Sequence, residues 1–340
     1  MSRIAVLGAG AWGTAIALSL VRKGSHQVTL WSHRPEAAEA LERSRENLRF
    51  LPGFSFPEPL RVTGDDAAAV AEAEILICVV PSEFLRSTIS RFIPHLRPGQ
   101  IVVSATKGLE DHSLLRMTEV IQSCVSCVSN AGLTLPVGAL SGPSFAQGVA
   151  AGMPTALTIA FPDPAVGAHI RHEFSSPTLR LYTNSDVIGV EMGGALKNVI
   201  AIAAGVLAGL GLGLNSAAGL ITRGIAETTR LAVAAGGQRE TLSGLSGIGD
   251  LVLTCTGSLS RNRTVGFELG QGRKLPEILA SLDGKVAEGV RTTRAALALA
   301  RKLGVEMPIT EQMEQILDEG KDPKAAIREL MLRPGRNEED

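Results

Sequence analysis

Up to about residue 183 the chain alternates between two hydrophobic patterns. Short continuous apolar runs at 4–7, 28–31, 75–80, 101–105, 138–140, 156–160 and 179–182 predict buried parallel strands. Between them, apolar positions recur at helical spacing over 12–23, 35–47, 82–92 and 113–123. Strand, helix and strand in regular succession imply a parallel sheet covered by helices on both faces. After Asn184 the strand-like runs stop. Segments 187–213, 217–235, 264–270, 292–303 and 310–319 are rich in Ala and Leu at helical spacing, and Pro276, Pro308 and Pro323 stand where helices begin. The pattern predicts an α/β fold, with a doubly wound parallel sheet over residues 1–184. A mostly α-helical domain over 185–333 and a polar tail over 334–340 follow it.

A chain of 340 residues has the length of two domains. The longest uncharged apolar run, 199–214, is shorter than the ~20 residues that span a bilayer and is interrupted by glycines, so it predicts a buried helix and no membrane span. Basic and acidic residues balance, 33 against 34, which argues against nucleic acid or an anionic membrane as partner. Any basic cluster must then be local and built around a small anion. The N-terminus lacks the charged-then-apolar pattern of a signal peptide. Of the four cysteines, Cys124 and Cys127 form a CxxC. No second pair or nearby histidines accompany it, which predicts reduced thiols, no metal and a cytoplasmic location.

The first predicted strand runs into Gly8-Ala9-Gly10-Ala11-Trp12-Gly13, which opens the first predicted helix. Gly8 permits a tight turn, Gly10 lets a pyrophosphate approach the backbone, and Gly13 lets helix pack on strand. The helix start presents free N–H groups to that anion. Strand, loop, helix and second strand in this order define a dinucleotide-binding domain of the Rossmann type. At the end of the second strand, where NAD sites usually place an acid, the chain has Trp31-Ser32-His33-Arg34. Arg34, with His33 and Ser32, can pair with a 2′-phosphate, so NADPH is the preferred cofactor and NADH the second.

What the sequence lacks narrows the chemistry. All six histidines precede residue 173, which argues against a His–Asp pair on the second domain. The one tyrosine, Tyr182, has no lysine four residues on. Lysine is left as the donor to a carbonyl oxygen. Lys107 sits just beyond a strand, at the edge where open α/β sheets bind ligands. Lys197 lies in a nearly apolar helix and must find an anion or a cavity. Asp250, in the apolar stretch Gly247-Ile248-Gly249-Asp250-Leu251, is its obvious partner. Ser260, Arg261 and Asn262 offer a hydroxyl, a guanidinium fork and an amide, a donor set for a phosphate dianion, and Ser260 also reads as a helix cap.

The chain resembles the bacterial NAD(P)-dependent glycerol-3-phosphate dehydrogenase family over nearly its whole length. The matching segments are GAGAWGTA at 8–15, SATKGLE at 104–110, LSGPSFAQGV at 140–149, GGALKNVIAIAAG at 193–205, SGIGDLVLTCTGSLSRNRTVG at 246–266 and KVAEGVRT at 285–292. The resemblance implies reversible reduction of dihydroxyacetone phosphate to sn-glycerol 3-phosphate, supplying glycerophospholipid synthesis. It implies Lys197 as the proton donor or acceptor. Lys107, Gly142, Ser144, Asp250, Ser260, Arg261 and Asn262 would line the substrate. Ala11, Trp12, His33, Arg34, Lys107, Ala146, Arg261, Val286 and Glu288 would contact the cofactor. Ala11 stands where relatives often have serine, and Ser144 where threonine is frequent. Two rivals share parts of this pattern, another β-hydroxyacid-type dehydrogenase and a non-catalytic NADPH sensor. The Ser260-Arg261-Asn262 cluster argues against the first, and Lys197 with Asp250 against the second. The apolar second half could support a homodimer face, or the same residues could simply be core.

Overall fold

The computed structural model describes residues 1–128, 133–282, 287–335 and 337. Ten strands form: β1 Ser2–Leu7, β2 His26–Trp31, β3 Glu46–Asn47, β4 Leu51–Ser55, β5 Leu60–Thr63, β6 Ile75–Cys78, β7 Ile101–Ser104, β8 Val137–Ser141, β9 Thr155–Ala160 and β10 Leu179–Asn184. Eight make one sheet in the order β10-β9-β8-β7-β6-β1-β2-β5, and β3 pairs with β4 in a separate ribbon. β1 sits mid-sheet, with Leu7 level with Trp31 on one side and Cys78 on the other. The loops that leave β1, β2 and β6 therefore emerge together at one edge, where such sheets bind ligands. Helices cover both faces over two apolar clusters, one centred on Val6, Leu30 and Ile77 and the other on Leu7, Leu76 and Phe92.

Three details depart from the sequence pattern. β9 runs antiparallel to β8, and β10 follows β9, so the last two strands oppose the other six. The burial pattern of a strand, continuous towards the end of β9 and alternating in the edge strand β10, does not depend on which way its neighbour points, so direction leaves no trace in the sequence. The edge strand β5 buries only Leu60 and gave no apolar run. The predicted helices 35–47 and 113–123 are shifted to Pro35–Ser44 and Met117–Val128. Left-handed backbone at Arg45 ends the first, and at His112 and Leu114 delays the second.

Among the described residues after Asn184 every element is helical. Pro276, Pro308 and Pro323 each occupy a first turn, as predicted. The central helix Val187–Gly209 is long and apolar enough to cross a membrane, yet 78% of its most apolar stretch is buried inside the protein. It packs backbone to backbone on the helix Arg261–Gly270. A Cβ at Gly266 would lie 1.8 Å from Ile202 O, and one at Gly205 would lie 2.1 Å from Arg263 O.

Two buried carboxylates stitch helix starts in place. Glu191, on the central helix, accepts the Thr118 N–H at 2.8 Å and its hydroxyl at 2.6 Å, joining the helical half to the sheet half. Glu227 accepts the Ile309 and Thr310 N–H groups at 2.8 and 2.9 Å. Burial pushes both carboxyls above the usual range. All four cysteines are free thiols.

Candidate active site

The glycine loop folds as its spacing predicts. Gly8 has φ +127°, and a Cβ there would lie 2.4 Å from Val79 O. A Cβ at Gly13 would lie 1.8 Å from Gly8 O, so only glycine lets the helix Ala11–Arg22 start this close to the strand. A Cβ at Gly10 would meet nothing within 4 Å, so this edge opens onto room for a pyrophosphate. The helix bonds start with Thr14 N–H to Gly10 O at 2.9 Å, which leaves the earlier N–H groups of Ala11 and Trp12 directed at that room. This cradle fits a dinucleotide.

His33 and Arg34 are exposed at the end of β2. That is three strands, or about 14 Å, from the strand that carries Lys107. Only an elongated ligand lying along the sheet edge could reach both places. Ala146 opens the helix Ala146–Ala150. Val286 lies outside the described residues.

The reactive centre forms where the two halves meet. Lys107 follows β7 in a loop fixed by Thr106 Oγ1, which donates to Val80 O at 2.9 Å. Its Nζ donates to Asp250 Oδ2 at 2.5 Å and lies 3.4 Å from Gly142 O. Lys197, from the central helix, donates to the other oxygen, Asp250 Oδ1, and to Thr254 Oγ1 at 3.0 Å. The Thr254 hydroxyl in turn donates to Asp250 O at 2.6 Å. A widened turn delivers Asp250: Gly249 N–H reaches five residues back to Gly244 O at 3.1 Å, and the helix Asp250–Thr256 begins there.

One carboxylate thus serves two lysines, and Asp250 is 1% exposed. Burial alone would raise its carboxyl, but the charges of Lys107 and Lys197 outweigh that and hold it below its usual range. Lys197 moves the opposite way. Burial, with Lys107 adding repulsion, overcomes the Asp250 attraction and brings it down to about 8. That value suits a group that must give and take a proton near neutrality.

Beside this pair the helix Arg261–Gly270 points its start at the site. Ser260 caps it, accepting the Arg263 N–H at 3.2 Å. Arg261 is exposed at the first position, with its backbone N–H and that of Asn262 ahead of the first helical bond. Asn262 is placed differently from the simple donor that its sequence position suggested. Its Nδ2 donates to Asn198 Oδ1 at 2.9 Å, and its Oδ1 accepts the Gly289 N–H at 3.0 Å. The amide ties three elements together, with one side-chain N–H and the backbone N–H outside these bonds. Ser144 Oγ donates to Gly142 O at 3.0 Å. Glu288 starts the next helix within reach of the charges on Arg261, Lys107 and Lys197, and burial raises its carboxyl. Thr254 and Asn198 were not singled out from the sequence. Their only signals are a position one turn beyond Asp250 and one residue beyond Lys197.

A sheet-edge dinucleotide cradle facing two lysines on one buried carboxylate, beside an open helix start, defines a two-part NAD(P)-dependent dehydrogenase. Family models narrow this further. The NAD-dependent glycerol-3-phosphate dehydrogenase N-terminus matches residues 3–167, and the C-terminus of the same family matches residues 186–328. The chain belongs to the NAD-dependent glycerol-3-phosphate dehydrogenase family. It is 60% identical to a glycerol-3-phosphate dehydrogenase [NAD(P)+] of Acidobacterium capsulatum, over 99% of this chain and 100% of that protein. A protein of the same name from Koribacter versatilis is 56% identical over 99% of each. The crystal structure of glycerol-3-phosphate dehydrogenase from Coxiella burnetii superposes with a TM-score of 0.91 at 40% identity, covering 98% of this chain and 99% of that one.

Proposed function

We propose that this chain catalyses the reversible NAD(P)H-dependent reduction of dihydroxyacetone phosphate to sn-glycerol 3-phosphate. The observation that carries the proposal is the Lys107–Asp250–Lys197 cluster beside the start of the Arg261 helix. Gly8, Gly10, Ala11, Trp12, Gly13, Ala146 and Glu288 would hold the cofactor, with His33 and Arg34 at its 2′ end. When bound, the reduced nicotinamide supplies a hydride to the ketone carbon. Lys197 gives its proton to the oxygen that becomes the alcohol, and Asp250 keeps that ammonium aimed. Lys107 adds positive field at the same oxygen and steadies Gly142 O. Arg261 and the first N–H groups of its helix hold the phosphate, so binding far from the ketone helps fix it for transfer. In the reverse direction neutral Lys197 accepts the proton. Exposed Arg34, with no acid in the place of an NAD selector, favours NADPH over NADH.

The division at 184/185, with a tail from 334, is proposed as the domain plan, the sheet part for cofactor and the helical part for substrate. Similarity to the bacterial relatives supports a cytoplasmic enzyme of lipid precursor supply. Exposed Leu212 and Leu214, at the turn between the two longest helices, support a homodimer. An NADPH oxidation assay with dihydroxyacetone phosphate against a panel of 3-oxoacids tests the function. Equal or faster turnover of an oxoacid would overturn it.

A further inference from the structure

The edge formed by β2 and β5 carries a charge pair that the reaction itself does not use. Arg91, in the last turn of the helix Ser82–Phe92, lays its guanidinium over the Trp31 ring, 5.2 Å from the centroid. The same guanidinium forks onto Asp66, with Nε to Oδ2 at 2.8 Å and Nη2 to Oδ1 at 2.9 Å. Trp31 Nε1 also donates to Asp66 Oδ1, at 3.0 Å. Asp66 opens the helix Asp66–Val70 just after β5, and the Trp31 ring N–H and the Arg91 guanidinium together fix its carboxylate.

This pair neighbours the His33-Arg34 turn. Trp31 is level with Thr63 across β2 and β5, and the Ser32 N–H donates to Thr63 O at 3.0 Å. Gly64 lets the turn after β5 touch the turn after β2, since a Cβ there would lie 2.7 Å from Pro35 Cα. Burial, then the charges of Arg34 and Arg91, lower the His33 ring below the usual histidine range.

A carboxylate at this corner has a definite electrostatic sense. In dinucleotide sites an acid at the end of the second strand takes the ribose 2′-OH and repels a 2′-phosphate. Asp66 stands one strand over from that position. Unpaired, it would oppose a phosphate dianion at Arg34. Forked to Arg91, it is neutralised, and the Arg91 Nη1 group lies outside the fork.

We propose that the Arg91–Asp66 pair is a determinant of cofactor choice, tuning how well the His33-Arg34 turn accepts the 2′-phosphate of NADPH. This rests on the assignment of the 2′-phosphate to Arg34. Both residues act through the local field and through Trp31, as selectivity residues.

The test is kcat/KM for NADPH and for NADH, with dihydroxyacetone phosphate, in wild type, Arg91→Met, Asp66→Asn and Arg34→Ala. Arg91→Met strands the Asp66 charge and lowers the NADPH/NADH ratio about five- to twentyfold. Asp66→Asn releases Arg91 and raises the ratio about three- to tenfold. Both shifts shrink in high salt, which screens exposed charges. Opposite signs are the signature, because damage to shared structure would hurt both cofactors alike. Arg91→Gln replaces Arg91→Met if that variant does not fold, since it removes the charge and keeps a donor for Asp66. The proposal is overturned if both variants move the ratio in one direction, or neither moves it beyond twofold, while Arg34→Ala still lowers it. If Arg34→Ala also leaves the ratio unchanged, the 2′-phosphate assignment fails and the proposal falls with it.

Discussion

Lys107 Nζ lies 2.5 Å from Asp250 Oδ2, although 143 residues separate the two in the chain. The other oxygen of that carboxylate holds Lys197, so Asp250 stands between two cations that would otherwise repel each other. Asp250→Asn should lower kcat for reduction by at least ~10²-fold and cost stability of about 3–5 kcal/mol, as expected for a broken buried ion pair. It should also lower the pH at which Lys197 loses its proton. A kcat profile whose basic limb stays where wild type has it would show that Asp250 does not hold the Lys197 charge.

The wild-type profile follows from Lys197 at about 8. Reduction needs the protonated form, so its kcat should be level below that pH and fall tenfold per unit above it. Oxidation of sn-glycerol 3-phosphate needs the neutral form and should rise over the same range. Lys197→Met should abolish both limbs and lower turnover by ~10²–10⁴, with cofactor binding by fluorescence unchanged. Turnover within tenfold of wild type would move the proton to Lys107.

Arg261 and Asn262 should separate by substrate. Arg261→Ala removes the phosphate fork and should cut kcat/KM for dihydroxyacetone phosphate by roughly 30- to 1,000-fold, or about 2–4 kcal/mol. Its effect on dihydroxyacetone, which lacks the phosphate, should be within a fewfold. Asn262→Ala unties Asn198 and Gly289 as well, so it should slow both substrates. Equal losses on both substrates from Arg261→Ala would mean that Arg261 is not the anchor.

Glu227→Ala leaves the Ile309 and Thr310 N–H groups and the Thr310 hydroxyl without their buried acceptor. The expected cost is about 3 kcal/mol or more. Urea unfolding should show a lower midpoint, while KM for both substrates stays put. A midpoint within error of wild type would show that water takes over the cap.

Much of this architecture was legible because it depends on local pattern. Gly8 and Gly13 of the first loop each have a steric duty that no other residue meets, and a lysine and an aspartate in apolar helices had to find each other. What was hidden depends on contacts distant in sequence. The reversal of β9 and β10 leaves no pattern. The sharing of Asp250 by Lys107 depends on how a strand end meets a helix from the other half. Asn262 looked like a free donor because nothing nearby in sequence shows that Gly289 and Asn198 already use its amide. The Arg91–Asp66 fork joins a helix end to a helix start 25 residues away and has no motif.

The glycines that join the central helix to the Arg261 helix make a gauge. Gly205 and Gly209 on one helix, and Gly266 and Gly270 on the other, bring main chain against main chain with no side chain between. Lys197 rides on the first helix and Arg261 opens the second, so the interval between the proposed proton donor and the proposed phosphate anchor is set by two rigid rods in contact. Side-chain repacking cannot lengthen it. A ketone one methylene further from its phosphate would therefore be held firmly by its charge and still miss the lysine, and the enzyme would choose its substrate by length as much as by chemistry.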